Sequence, residues 1–242
     1  MIDVGVPLYR QIKADLVERI RGEQLPPGTR IETEFELMER YGVSRATIRQ
    51  ALGQLVAEGY LEIRRGLGTF VATPKLEQGL GGFYSFSREI ERRGMRPGTR
   101  VLGVTIEGAS RTVATALGVA PGTRVVGLRR LRLADDEPLV AETSYLPESR
   151  FPGLESRDFE QRRLYDTLIT DYGVRPSRAH EVFEPVLLTS DEALLLNKHA
   201  GDPALVVERT AYDSTGEPIE FCRSVVRSDR FRYFVDLGEA PL

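Results

Sequence analysis

Arg130 and Arg132 stand two residues apart in the run Val125 to Leu133, and the strand period of two puts both guanidinium groups on one face. Glu142 follows beyond the turn Asp135-Asp136-Glu137-Pro138, on the strand that pairs with theirs, and Glu220 lies two residues after Pro218 in a similar run. Arginines beside carboxylates serve two chemistries: they bind a small anion through paired N–H donors, or they form a structural ion-pair ladder. Ser85-Phe86-Ser87 opens a helical stretch, where unpaired backbone N–H groups and hydroxyls suit an anion as well as a plain N-cap.

A second basic group lies nearer the N-terminus. Ile48, Ala51, Leu52 and Leu55 recur at helical spacing behind an N-capping Ser44, which leaves Arg45, Thr47, Arg49 and Gln50 on the outer face of that helix's first turns. No acid lies between Arg40 and Gln54, whereas Glu34, Glu36 and Glu39 crowd the preceding helix, so positive potential is expected to concentrate on the second helix. That preceding helix starts on a Thr33/Glu36 capping box and ends at Gly42. After Gly59, Tyr60 to Arg65 alternates as a strand, Gly66-Leu67-Gly68 is a tight turn entered by Arg64 and Arg65, and Thr69 to Ala72 returns. Either helix alone reads as ordinary core with a solvated face. Two capped helices followed by a glycine-tipped hairpin are the order of a winged helix-turn-helix, which makes double-stranded DNA the expected partner. Arg45 then suits a base edge, Arg49 and Arg65 suit phosphates or the minor groove, and Gly66 allows close backbone approach.

Leu8-Tyr9-Arg10-Gln11-Ile12, Leu25-Pro26-Pro27-Gly28, the run Val43 to Leu52 and Gly66-Leu67-Gly68-Thr69-Phe70-Val71 together resemble the GntR family of bacterial regulators. Ser85-Phe86-Ser87, Arg130 to Ala134, Pro138 with Glu142, Leu164-Tyr165-Asp166, Pro218 with Glu220 and Ser228-Asp229-Arg230-Phe231 resemble its HutC subfamily with a UTRA effector domain. The resemblance spans nearly the whole chain and implies a dimeric, ligand-responsive transcription factor, usually a repressor, whose second domain shares the chorismate lyase fold without that activity. It implies a phosphate cradle at Ser85, Phe86 and Ser87, with Arg130 and Arg132 on phosphate or sugar. Glu142, Tyr165 and Glu220 then meet ring hydroxyl or amide groups. Three positions depart from sugar-phosphate-responsive relatives: Phe35 replaces an arginine that looks like a guanine reader, Arg163 stands where Ser is common, and Val226 replaces a Tyr. The last two leave room for a smaller or more anionic effector.

The elements that must position these residues follow from periodicity. Leu8, Ile12, Leu16 and Ile20 repeat every four residues, giving a first helix from Pro7 to Arg21. Thr73-Pro74-Lys75 and Gln78 to Gly82 lack periodicity, which divides the chain into a DNA-binding domain over 1–75, a linker over 76–84 and an effector and dimerisation domain over 85–242. Helices are expected near 87–93, 111–117, 164–172 and 191–196. Strands are expected near 101–107, 125–133, 139–145, 180–188, 204–212, 219–227 and 232–236. Turns at 135–138 and 213–218 make two hairpins, so this is an α+β domain built on an antiparallel sheet. Pro-Gly-Thr-Arg recurs at Pro27, Pro97 and Pro121, which reads as turn chemistry rather than a repeat.

Composition sets the remaining bounds. The net charge is −3. It conceals 11 basic and 10 acidic side chains in residues 1–75 against 22 and 26 in the rest, so only local placement favours DNA. A lone Cys222 makes no internal disulfide, and the N-terminal MIDVGVPLYRQ has no basic region followed by an apolar stretch, which together predict a cytoplasmic protein with no membrane segment. His180 and His199 are far apart and no metal-ligand spacing, GxSxG or HExxH occurs, so no metal, no cofactor and no catalysis are expected. The competing reading is a lyase-like enzyme in which Arg130, Arg132 and Glu142 polarise a small carboxylate. One recognition helix covers too few base pairs for a genomic site, which predicts a homodimer on a pseudo-palindromic operator with half-sites about 34–36 Å apart or a multiple of that.

Overall fold

The computed structural model describes residues 6–22, 25–64, 66–73, 75–80 and 86–237. Contacts divide the chain into two compact units, Met1–Leu76 and Glu77–Leu242.

The first unit holds helices α1 (Leu8–Arg21), α2 (Glu34–Tyr41) and α3 (Arg45–Ala57) and a hairpin of strands β1 (Leu61–Arg64) and β2 (Gly68–Val71). Local chemistry sets each boundary. The Thr33 hydroxyl accepts the Glu36 N–H at 3.3 Å while the Glu36 carboxylate accepts the Thr33 N–H at 2.7 Å, completing the capping box. Gly42 (φ 63°) ends α2 in the left-handed conformation, and the Ser44 hydroxyl then accepts the Thr47 N–H to start α3. Ile12 and Leu16 of α1, Leu37 of α2, Ile48, Ala51 and Leu55 of α3, and Leu61 and Val71 of the hairpin form one core. The hairpin pairs Leu61 with Val71 through Arg64 with Gly68, and Arg30 adds a bridge to Phe70.

The second unit begins inside strand β3 (Leu76–Gly79), which pairs with the last strand, β10 (Phe231–Phe234). Between them lie α4 (Phe86–Arg92), α5 (Arg111–Leu117), α6 (Leu164–Tyr172), α7 (Ser190–Leu195) and a six-stranded antiparallel sheet. Its strands are β4 (Pro97–Gly108), β5 (Arg124–Ala134), β6 (Glu137–Pro147), β7 (Arg178–Leu187), β8 (Pro203–Tyr212) and β9 (Pro218–Arg227). Their spatial order is β4-β5-β6-β9-β8-β7. β5 and β6 are joined by Asp135 and Asp136, both at positive φ (48° and 65°), the backbone that a two-residue hairpin turn with right-handed twist demands. One face of the sheet presents Val126, Leu128 and Leu146 to α6 and to Phe151, Leu154 and Phe159. Alternation sends Val125 and Phe221 to α5, and Leu131 and Val225 to α7, on the other face.

Two expectations need correction. Leu76–Gly79 is a strand rather than linker: Leu76 and Gln78 are buried in alternation, and Gly79 packs closely on the Phe234 ring, where a Cβ would lie 3.2 Å from it. Residues 81–84 of the expected linker, and Pro74 just before it, lie outside the described residues. The tetrapeptide at Pro97 is strand, not turn; Gly98 packs closely on its strand partner there, where a Cβ would stand 3.3 Å from that of Leu133, whereas Gly28 (φ 81°) and Gly122 (φ 83°) do serve turns.

A Cβ at Gly42 would meet nothing within 4 Å, so the cost of Gly42→Ala is conformational only. The substitution should lower the stability of the first unit by about 1–2 kcal/mol, and Gly42→Asn by less. A urea titration in which Gly42→Ala leaves the midpoint of that unit unchanged would contradict the capping account.

Candidate functional site

A cavity of ≈ 550 Å³ in the second unit lies over the sheet face that carries Arg130, Arg132 and Glu142, and α4 and α6 contribute to its walls. Of the residues expected at the effector, Phe86, Ser87, Arg130, Arg132, Glu142, Arg163, Tyr165 and Glu220 all line it. Ser85 lies outside the described residues.

The β5–β6 register sets Arg130 opposite Glu142. One carboxylate oxygen, Glu142 Oε1, takes both cations, Arg130 Nη2 at 2.7 Å and Arg132 Nη1 at 3.1 Å. Arg130 Nη2 also donates to Ser144 Oγ at 3.3 Å, and Arg132 Nη2 to Ser87 Oγ at 2.9 Å. The Arg132 guanidinium lies over the Phe86 ring at 4.8 Å, which makes α4 part of the site. Burial pushes the Glu142 carboxyl up, but Arg130 and Arg132 outweigh it and hold it below the ordinary range. The three side chains are 6%, 12% and 11% exposed, so the group is a nearly buried cluster of net charge +1. Arg130 Nε has no partner among the described residues.

A second polar group faces the same cavity. The Tyr165 hydroxyl donates to Glu220 Oε2 at 2.5 Å, and Glu220 is 2% exposed. Burial, then the Glu220 charge, push the Tyr165 phenol well up, which keeps it a donor. Sequence reasoning missed Arg209 and Glu181, which are paired across β8 and β7 with Arg209 Nε donating to Glu181 at 2.7 Å. Burial works against the Arg209 charge, but Tyr165 and Glu181 outweigh it and keep the guanidinium protonated. Charged residues inside otherwise apolar alternating runs were the available signal. Arg163 pairs with Glu91 of α4, and Val226 supplies an apolar stretch of wall. Burial, with Glu142 and Glu220 nearby, raises the Cys222 thiol to about 12, so it is neutral and unreactive at ordinary pH.

In the first unit, the side chains of Arg45 and Arg49 are 71% and 70% exposed on α3, with Gln50 beside them. The concentrated positive potential expected there is moderated by Glu34, whose carboxylate accepts from Arg45 Nε at 2.6 Å and approaches Arg49 to 3.9 Å, because the α2–α3 turn folds the acidic first turn of α2 against α3. Thr47 Oγ1 is 3.0 Å from the capping Ser44 hydroxyl. In the wing, Gly66 holds φ 76°, Arg64 pairs with Glu62 and stacks on the Phe70 ring at 4.4 Å, and Arg65 lies outside the described residues. Sequence reasoning missed Arg30, whose guanidinium packs against Gly68 of the wing.

Comparison with known proteins matches residues 8–71 to the bacterial regulatory proteins of the gntR family and residues 92–232 to the UTRA domain. The chain is 36% identical over 228 residues to the HTH-type transcriptional repressor NagR of Bacillus subtilis, covering 94% of this chain and 93% of that one. The chain belongs to the GntR family, with a UTRA domain as its second unit. The Mannosyl-D-glycerate transport/metabolism system repressor MngR of Escherichia coli is 29% identical over 227 residues, 94% of each chain. The crystal structure of PhnF from Mycobacterium smegmatis superposes with a TM-score of 0.68 at 31% identity, covering 95% of this chain and 100% of that one. This GntR-family protein is thus a DNA-binding transcriptional regulator with a small-molecule effector domain. Among the described residues, no helix is long and apolar enough to cross a membrane.

The ion pairs of Glu142 contribute to stability above its ordinary value of 4.5 and are lost as pH falls through its depressed folded value. Glu142→Gln leaves two buried guanidiniums on a neutral amide and should cost about 3–5 kcal/mol at pH 7. Melting temperatures from pH 7 down to pH 3 should fall less steeply in the variant. Parallel acid limbs would show that Glu142 is not the paired carboxylate of the site.

Proposed function

We propose that operator binding by this regulator is controlled by a small anionic metabolite held at Arg130 and Arg132, and that it acts as a cytoplasmic repressor. The observation that carries this reading is the buried pair of guanidiniums sharing one carboxylate oxygen, with Arg130 Nε lacking a partner among the described residues. A second anion, phosphate or carboxylate, balances that charge and takes the remaining donors. Ser87 and Phe86 border this end. Glu142, Tyr165, Glu220 and Arg163 serve the polar remainder of the ligand, and the name of MngR, which refers to mannosyl-D-glycerate, supports a sugar-bearing anion. Turnover of a carboxylate by this pocket is disfavoured, since Glu142 is held ionised by two arginines and Cys222 is held protonated, so neither is poised as a base or nucleophile.

DNA binding is assigned to residues 1–75, with Arg45, Thr47, Arg49, Gln50, Arg64, Arg65 and Gly66 at the duplex. Ligand binding and dimerisation are assigned to residues 85–242, which places two recognition helices on a pseudo-palindrome.

Thermal shift of the full chain with phosphorylated and acidic sugars should identify an anion that raises the melting temperature. Arg132→Ala should abolish that shift and the ligand response while leaving ligand-free DNA affinity nearly unchanged. Release of DNA at the wild-type ligand concentration would remove Arg132 from the site. Arg45→Ala should cost roughly 1–3 kcal/mol on the operator and relax one base position. Equal losses on operator and scrambled DNA, compared at several salt concentrations, would reduce Arg45 to a phosphate contact.

A further inference from the structure

Phe35 is 64% exposed in the first turn of α2, a large apolar side chain that contributes nothing to the core of the first unit. Leu37, Met38 and Tyr41 form the inward side of that helix, and Phe35, two residues and about 200° from Leu37, points away from it. Every polar neighbour in that turn is engaged. Thr33 and Glu36 hold each other in the capping box, and Glu34 holds Arg45 at 2.6 Å and approaches Arg49 to 3.9 Å. These contacts bring the start of α2 against the start of α3, so Phe35, which follows Glu34, belongs to the turn of α2 that meets the two exposed arginines of the recognition helix.

We propose that Phe35 is a specificity-determining residue that packs on the C5-methyl group of a thymine at the edge of the major groove. The proposal rests on reading α3 as the recognition helix. Cations 70% and 71% exposed, paired to the residue that precedes the exposed ring, do not suit an apolar protein partner. A duplex offers phosphates and base acceptors for the arginines, and in the major groove the one apolar group on a base edge is the thymine methyl. Phe35 has neither donor nor acceptor, so it can favour thymine over cytosine at one position but cannot select a purine by hydrogen bonding. Each half-site therefore carries one thymine whose methyl, rather than its O4, is read by this residue.

The test starts from operator sequences selected by the full-length protein from a random duplex pool. Each thymine of one half-site is then replaced singly by deoxyuridine, which removes only the methyl group. Binding is measured by fluorescence anisotropy for the wild type, Phe35→Ala and Phe35→Gln. One replacement should weaken wild-type binding about fourfold, the weight of one buried methyl. The same replacement should have no effect on either variant, and both variants should already bind the thymine operator about as weakly. The exposure of Phe35 predicts unchanged melting temperatures for both. Selected half-sites without an invariant thymine, or a methyl effect that persists in both variants, would overturn the proposal. A variant that combines Arg45→Ala with Gln50→Ala, measured in parallel, separates the two readings: if it retains full operator preference, α3 is not the reading helix, whereas loss of preference together with no methyl effect tied to Phe35 rejects the Phe35 contact alone.

Discussion

Two arginines on one buried carboxylate oxygen are the interaction on which the second unit is organised. Removing each of these charges from water costs several kcal/mol, and the arrangement persists only because Glu142 lies within 3.1 Å of both cations while Ser144 and Ser87 accept from them. Every part of this depends on strand register. The Asp135-Asp136 turn fixes the β5–β6 pairing at Arg130 opposite Glu142, and a slip of one residue would send Glu142 to the face opposite the two arginines. Helix α4 is placed by the same cluster, because Ser87 and Phe86 both rest on Arg132. A buried group left with one positive charge suits the anion proposed for it, and an anion bound there would bear directly on the position of α4.

The first unit is built on the opposite plan, from local signals. A capping box, a left-handed glycine and a serine cap fix the α2–α3 geometry within a dozen residues, and tertiary packing adds the buried stripe of α3. The Glu34 contact to Arg45 joins the two helices at the surface proposed to meet DNA. An exposed pair of this kind is worth at most about 1 kcal/mol, so it can orient the guanidinium and yield to a base or phosphate at little cost.

Most of the architecture was legible because its signals are short. Helix α6 starts at Leu164 and ends at Tyr172 as its periodicity indicates, and the strands differ from expectation by a few residues at their ends. The failures share a physical cause. The strand Leu76–Gly79 is defined by pairing with Phe231–Phe234, more than 150 positions later in the chain, and its glycine reports close packing on Phe234 rather than freedom. Arg209 and Glu181 belong to the cavity because two strands pair across the sheet, and Glu34 reaches Arg45 because a turn reverses the chain; no local pattern encodes either meeting. Arg130, Arg132 and Glu142 were legible because a single hairpin brings them together.

The central claim is that the anion at Arg130 and Arg132 and the operator act on one equilibrium. Its most direct test is reciprocal titration of the full chain: operator affinity measured with and without saturating anionic ligand, and ligand affinity measured with and without saturating operator. Linkage requires the two factors to be equal, and a coupling of about 1–3 kcal/mol corresponds to roughly 5- to 150-fold in each direction. The account predicts that ligand and operator weaken one another by the same factor in that range. Operator affinity that is indifferent to a ligand bound at the arginines would contradict it.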